Sequence, residues 1–130
     1  MTPPLETIRL SQAAKDRLIQ IKRRTGVDNW NILCRWALCM SLTRKTEPER
    51  TPSSKKSEVE IPWKTFSGIH EQTFAALIIE RAHSAGRLAD LAEYFEVHLE
   101  RGIAYLLRRT AATEHPALYA LMEELSDAKI

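Results

Sequence analysis

The sequence predicts a mainly α-helical fold that works as an oligomer, and three observations carry that reading. The stretch from Trp30 to Leu42 is apolar almost all round, with Arg35 its only charge, so it must be covered on several sides, in part by other copies of the chain. A basic segment before it and several segments after it repeat apolar residues at helical spacing. Strand-like alternation is confined to two short runs, one at the start of the chain and one near its middle. At 130 residues and 44% hydrophobic composition, the chain can bury one core without disulfide or metal. A single domain over 1–130 is therefore expected, with an N-terminal module over 1–42, a mobile polar loop over 43–58 and a helical part over 59–130.

In Leu5 to Leu10, Ile8 and Leu10 share one face and Thr7 and Arg9 the other, the pattern of a half-buried strand. Pro3 and Pro4 just before it argue for an edge. Ser11 then opens a first helix, with Ala14, Leu18 and Ile21 on its inner face and Lys15, Arg17, Lys22, Arg23 and Arg24 outside. Gly26 closes that helix, and Asp28 or Asn29 caps the second, which begins at Trp30. Thr43 to Ser57 holds Pro48 and Pro52 and no hydrophobic period, so it reads as an exposed, mobile loop. The alternation of Val59, Ile61 and Trp63 follows, and then a helix with Phe74, Leu77, Ile78 and Ala82 on one side, closed by Gly86. Further helices are expected from Leu88 to Phe95, from Val97 to Arg109 and from Pro116 to about Ser126.

Strand, capped basic helix, Thr-Gly turn and apolar helix stand in the order of a ribbon-helix-helix module, in which strands of two chains pair into a ribbon that can enter the major groove. A lone strand of this length has no independent stability, so the reading entails at least a dimer. The net charge of +2 conceals an asymmetry: 12 Lys and Arg stand against 5 Asp and Glu through Lys56, and 7 against 12 from Ser57 onward. Such polarity suits the DNA backbone on one side and a protein partner or neighbouring subunit on the other. Chance segregation of solvated charge is the alternative.

Catalytic residues, a metal and a cofactor are not expected. The four histidines, His70, His83, His98 and His115, are scattered, and no Gly-rich phosphate loop is present. Cys34 and Cys39 are five apart, about 140° round a helix, too far to bridge or share a metal, and read as two buried small side chains. Glu80 and His83 have the i, i+3 spacing of a di-iron ligand pair, but a second such pair is missing, and a solvated pair is favoured. Glu93, Glu96 and Glu100 read as an exposed acidic stripe. No run approaches a membrane span and no secretory signal opens the chain, so a cytoplasmic location is expected.

DNA binding is the reading the charges favour. Arg9, Lys15, Arg17, Lys22, Arg23 and Arg24 are placed to neutralise phosphates, and Arg44, Lys45, Arg50, Lys55 and Lys56 add contacts from the loop. The triplet from Lys22 to Arg24 also suits a helix C-terminus electrostatically, and the loop cations also serve solubility. An outward strand face with only Thr7 and Arg9 reads few bases, so backbone recognition is expected over operator recognition. Trp30, Trp36 and Trp63 are read as core residues, with base stacking the alternative.

Particular residues also point to a family. Leu10-Ser11, Ala14-Lys15-Asp16, Lys22 to Gly26, Asn29-Trp30-Asn31, Leu33 to Ala37, Trp63 to Gly68 and His98 to Leu106 resemble the DndE family of DNA sulfur-modification proteins. The resemblance covers nearly the whole chain apart from the loop, and its most specific piece is Lys22 to Ala37. It implies a nearly all-helical tetramer that binds double-stranded DNA, prefers nicked molecules, and acts beside the enzymes that replace a non-bridging phosphate oxygen with sulfur. A ribbon-helix-helix repressor or antitoxin is the alternative function, and an assembly factor with incidental DNA contact is a third.

Overall fold

The computed structural model describes residues 3–49 and 55–111. Arg50 and the helix expected from Pro116 lie outside them. Strand β1 spans Thr7–Ser11 and runs straight into helix α1, Gln12–Thr25. The turn between them is fixed by Ser11, whose Oγ accepts from the Ala14 N–H at 3.0 Å. At the far end Gly26 takes φ 75°, a left-handed conformation, and its N–H reaches the Lys22 carbonyl at 2.9 Å. Asn29 rather than Asp28 caps helix α2, Trp30–Leu42, by accepting from the Asn31 N–H at 2.9 Å.

The partner of β1 corrects the ribbon expected from the sequence. β1 pairs antiparallel with β2, Lys56–Pro62, of the same chain, with Ile8 opposite Ile61 and Arg9 opposite Glu60. One chain thus supplies both strands, and β1 does not require a dimer for its pairing. Both strands turn their apolar residues the same way, so that Ile8, Leu10 and Ile61 join one buried core. Trp63 does not prolong the strand. It opens the one-turn helix α3, Trp63–Ser67, while its N–H donates to the Glu6 carbonyl at 2.9 Å. Its buried ring packs in a group with Phe66, Phe74 and Phe95, in which ring centroids lie 5.3 to 5.6 Å apart.

Helix α4, Glu71–Ala85, buries Phe74, Ala75, Ile78 and Ala82, while Leu77, expected on that face, is 44% exposed. At about 100° per residue, Ala75 draws the buried stripe round to one side and leaves Leu77 on the opposite flank. A short 3-10 turn at Leu88–Asp90 leads into α5, a continuous helix over Leu91–Ala111. Two helices were expected here, yet nothing between Phe95 and Val97 breaks the backbone. The buried series Phe95, Leu99, Ile103 and Leu106 runs across that point at three- and four-residue steps.

Helix α5 is the central element, packed on α2 and α1. Much of the cover that the apolar α2 needs therefore comes from its own chain: Ile32, Leu33, Cys34, Ala37 and Leu38 are fully buried, while Trp30, Trp36 and Met40 remain half-buried. Cys34 is buried and Cys39 exposed, so only one of the two free cysteines is the core residue expected. Burial pushes the Cys34 thiol up to about 12.

The segment after α2 is also more tightly held than a mobile loop. Arg81 donates to the carbonyls of Leu42 at 2.9 Å and Arg44 at 2.6 Å, and its Nε reaches Glu47 at 3.0 Å. Arg101 donates to the Ser41 carbonyl at 2.8 Å and the Thr46 carbonyl at 2.9 Å. Two guanidinium forks thus hold backbone carbonyls at the end of α2 and in the segment just beyond it. The hydroxyl of Tyr94 donates to Glu47 as well. Farther on, residues 56–58 are strand rather than loop.

Candidate nucleic-acid interface

The structure distributes the basic residues over two regions. On the strand and α1, three of the six cations expected to meet phosphate already have carboxylates beside them. Arg9 pairs with Glu60 at 2.7 Å across the strands, Lys15 pairs with Glu58, and Lys22 lies 3.6 Å from Asp28. The hydrogen bond from Lys15 holds the Glu58 carboxyl below its usual range. Lys56 pairs with Glu96 at 3.1 Å, which takes Glu96 out of the exposed acidic stripe expected on α5. Arg24 donates to the Leu107 carbonyl of α5 at 3.4 Å. Arg17, Arg23, Lys45 and Lys55 form no ion pair among the described residues.

Solvent-exposed pairs contribute at most about 1 kcal/mol each, so a phosphate can displace a carboxylate from Arg9 or Lys22 at small expense. Arg23 and Arg24, exposed at the end of α1, need no such exchange of carboxylates. The strand edge and α1 therefore form a mixed-charge face with its free positive charge toward Gly26.

Of the second region only Arg44 was expected from the sequence, as a loop contact. Met40, Thr43 and Arg44 at the end of α2 face Tyr105, Arg108 and Arg109 of α5 across a cleft of about 610 Å³. Each triplet has i, i+3, i+4 spacing, which puts its three side chains on one side of the chain. The Arg44 and Arg108 guanidinium groups lie 4.8 and 4.9 Å from the centroid of the Tyr105 ring, and that of Arg101 lies 5.7 Å away. None of the described lining residues is acidic. Arg108-Arg109 was the available signal, hidden because it falls in the acidic half of the chain.

Little else resembles a reactive centre. Glu80 and His83 are both exposed, and among the described residues no three His, Cys, Asp or Glu side chains converge as metal ligands. The buried polar group of note is His98, whose Nδ1 is hydrogen-bonded to the Ser41 hydroxyl at 2.8 Å, while Ser41 Oγ accepts from Arg101 Nε at 2.9 Å. Burial, together with the Arg101 and Arg81 cations, lowers His98 to about 4. It is a neutral structural histidine, packed edge-on against Tyr94 with centroids 4.7 Å apart. Trp63 is in the core, which leaves no face for stacking a base. Among the described residues no helix is long and apolar enough to cross a membrane.

Comparison with known proteins agrees with this architecture. The fold is similar to that of a solved structure described as "Crystal structure of DndE from Escherichia coli B7A involved in DNA phosphorothioation modification". The TM-score is 0.67 at 24% sequence identity, over 82% of this chain and 99% of that one. No curated protein matches the sequence. The family described as "DNA sulphur modification protein DndE" matches residues 7–114. The chain therefore belongs to the DndE family of DNA sulfur-modification proteins.

Proposed function

We propose that this protein is a non-catalytic, largely sequence-independent double-stranded-DNA-binding component of the DNA phosphorothioation system. It works in the cytoplasm as a homo-oligomer, a tetramer, beside other proteins of that system, and it prefers nicked DNA. Family membership supports the place in the system. The observation that carries the DNA reading is the run of exposed cations ending α1, where Arg23 and Arg24 stand without carboxylate partners among the described residues. Their long, mobile side chains suit phosphate oxygens more than base edges, because a base edge demands fixed bidentate geometry. The half-buried Trp36 and the exposed Ile69 and Leu77 offer apolar surface to other copies.

The repressor alternative loses its motive with the ribbon, since β1 is paired within the chain. A competition experiment separates the two functions. Binding to a labelled duplex should be abolished by excess random-sequence DNA, with a nicked duplex the stronger competitor. Retention of one particular duplex under that excess would favour the repressor.

A further inference from the structure

The Tyr105 cleft has no role in the reading just given. Three guanidinium groups, those of Arg44, Arg108 and Arg109, converge on it without an acidic residue among the described lining. Two of them lie within 5 Å of one tyrosine ring, so they are at most about 10 Å from each other. Like charges held that close repel, and an aromatic face offsets only part of the repulsion. The neighbouring Arg101 is occupied differently, its nitrogens spent on Ser41 and Thr46, which leaves it a fixed positive wall rather than a free donor. The helix ends account for one cation each through their dipoles, not for three around one cleft. Guanidinium forks present several donors to tetrahedral oxyanions, and the space of about 610 Å³ admits a nucleotide-sized group.

We infer that the cleft between the end of α2 and the second half of α5 binds a phosphate ester, held by Arg44, Arg108 and Arg109 around Tyr105. Its ligand chemistry is shared by a phosphate of a DNA strand and by a free nucleotide. In the first form the inference rests on the DNA-binding reading above; in the second it stands alone. Arg109 and Arg108 contact the phosphate directly, while Tyr105 positions Arg44 and Arg108 by stacking.

The test uses the full chain, its Arg108→Gln/Arg109→Gln double variant and Tyr105→Leu, each checked for an unchanged thermal melt. Titration calorimetry with 2′-deoxyadenosine monophosphate and anisotropy with a 20-base-pair duplex provide the two arms. If the phosphate belongs to DNA, the double variant binds the duplex about 10-fold more weakly and its log–log salt slope shrinks by about 1 to 2. Tyr105→Leu, which removes no charge, then also weakens binding, by about three-fold. If the ligand is a free nucleotide, the parent binds the monophosphate saturably, both variants lose it, and duplex binding is unchanged. Either result supports the site. Variants that bind both probes as the parent does would overturn it, and so would a parent that binds neither. A parent that binds the monophosphate but no duplex keeps the cleft and refutes the DNA-binding function instead.

Discussion

Replacing Gly102 by alanine should destabilise the protein by about 3 kcal/mol, although the same change in an isolated helix is favourable by about 1 kcal/mol. Gly102 sits where α5 crosses α2, and a Cβ there would stand 1.8 Å from the Ala37 carbonyl oxygen and 2.4 Å from its carbon. Real contacts of that kind need more than 3 Å, so the two helices must part by over an ångström along their most extensive contact. Separation opens gaps around Leu33, Leu99 and Ile103, all of which are buried. Because the obstacle is backbone, Ala37→Gly should not rescue the variant. Urea denaturation measures this directly: the midpoint should fall sharply, and a Gly102→Ala protein with the parental midpoint would refute the crossing geometry.

Acid should weaken the fold through His98. The buried imidazole is lowered to about 4, against about 6.5 for an unfolded histidine. Between those values the unfolded chain binds a proton that the folded chain does not, so stability is lost as pH falls from about 6.5 to about 4. At about 1.4 kcal/mol per pH unit the loss reaches about 3 kcal/mol. A His98→Gln variant keeps an acceptor for the Ser41 hydroxyl and removes the titration. Its stability should change less over that window than the parent's, as read from chemical denaturation at pH 7, 6, 5 and 4. Parallel curves for the two proteins would mean that His98 is not the group responsible.

Local features were legible in the sequence because their causes are local. Ser11 and Gly26 bound α1, and the apolar run from Trp30 to Leu42 is α2, since caps and periodicity act within a few residues. Pairing of β1 with β2 was hidden because it joins residues more than 40 positions apart, and neither strand's own alternation names its partner. The charges carried a clue that only the register reveals: Arg9 meets Glu60, and Lys15 meets Glu58. The same non-locality concealed the pinning of residues 42–47, which depends on Arg81 and Arg101 arriving from two other helices. In composition that segment looked free, yet the carbonyls of Leu42, Arg44 and Thr46 accept from arginine side chains. For the basic surface, counting charge by halves found α1 but passed over Arg108 and Arg109, because folding returns the end of α5 to the side of Arg24 and Arg44.

The central claim is that the protein holds DNA by phosphate neutralisation, and the dependence of affinity on salt tests it most directly. Affinity for a duplex, measured from about 50 to 200 mM salt, should give a log–log slope of about −4 to −7, corresponding to about 4 to 8 phosphates. Two duplexes of unrelated sequence should give the same slope. In the Lys22→Glu/Arg23→Glu/Arg24→Glu variant the slope should flatten and affinity for both duplexes should fall by a similar factor. A slope near zero, or a variant that loses only one of the two sequences, would contradict the account.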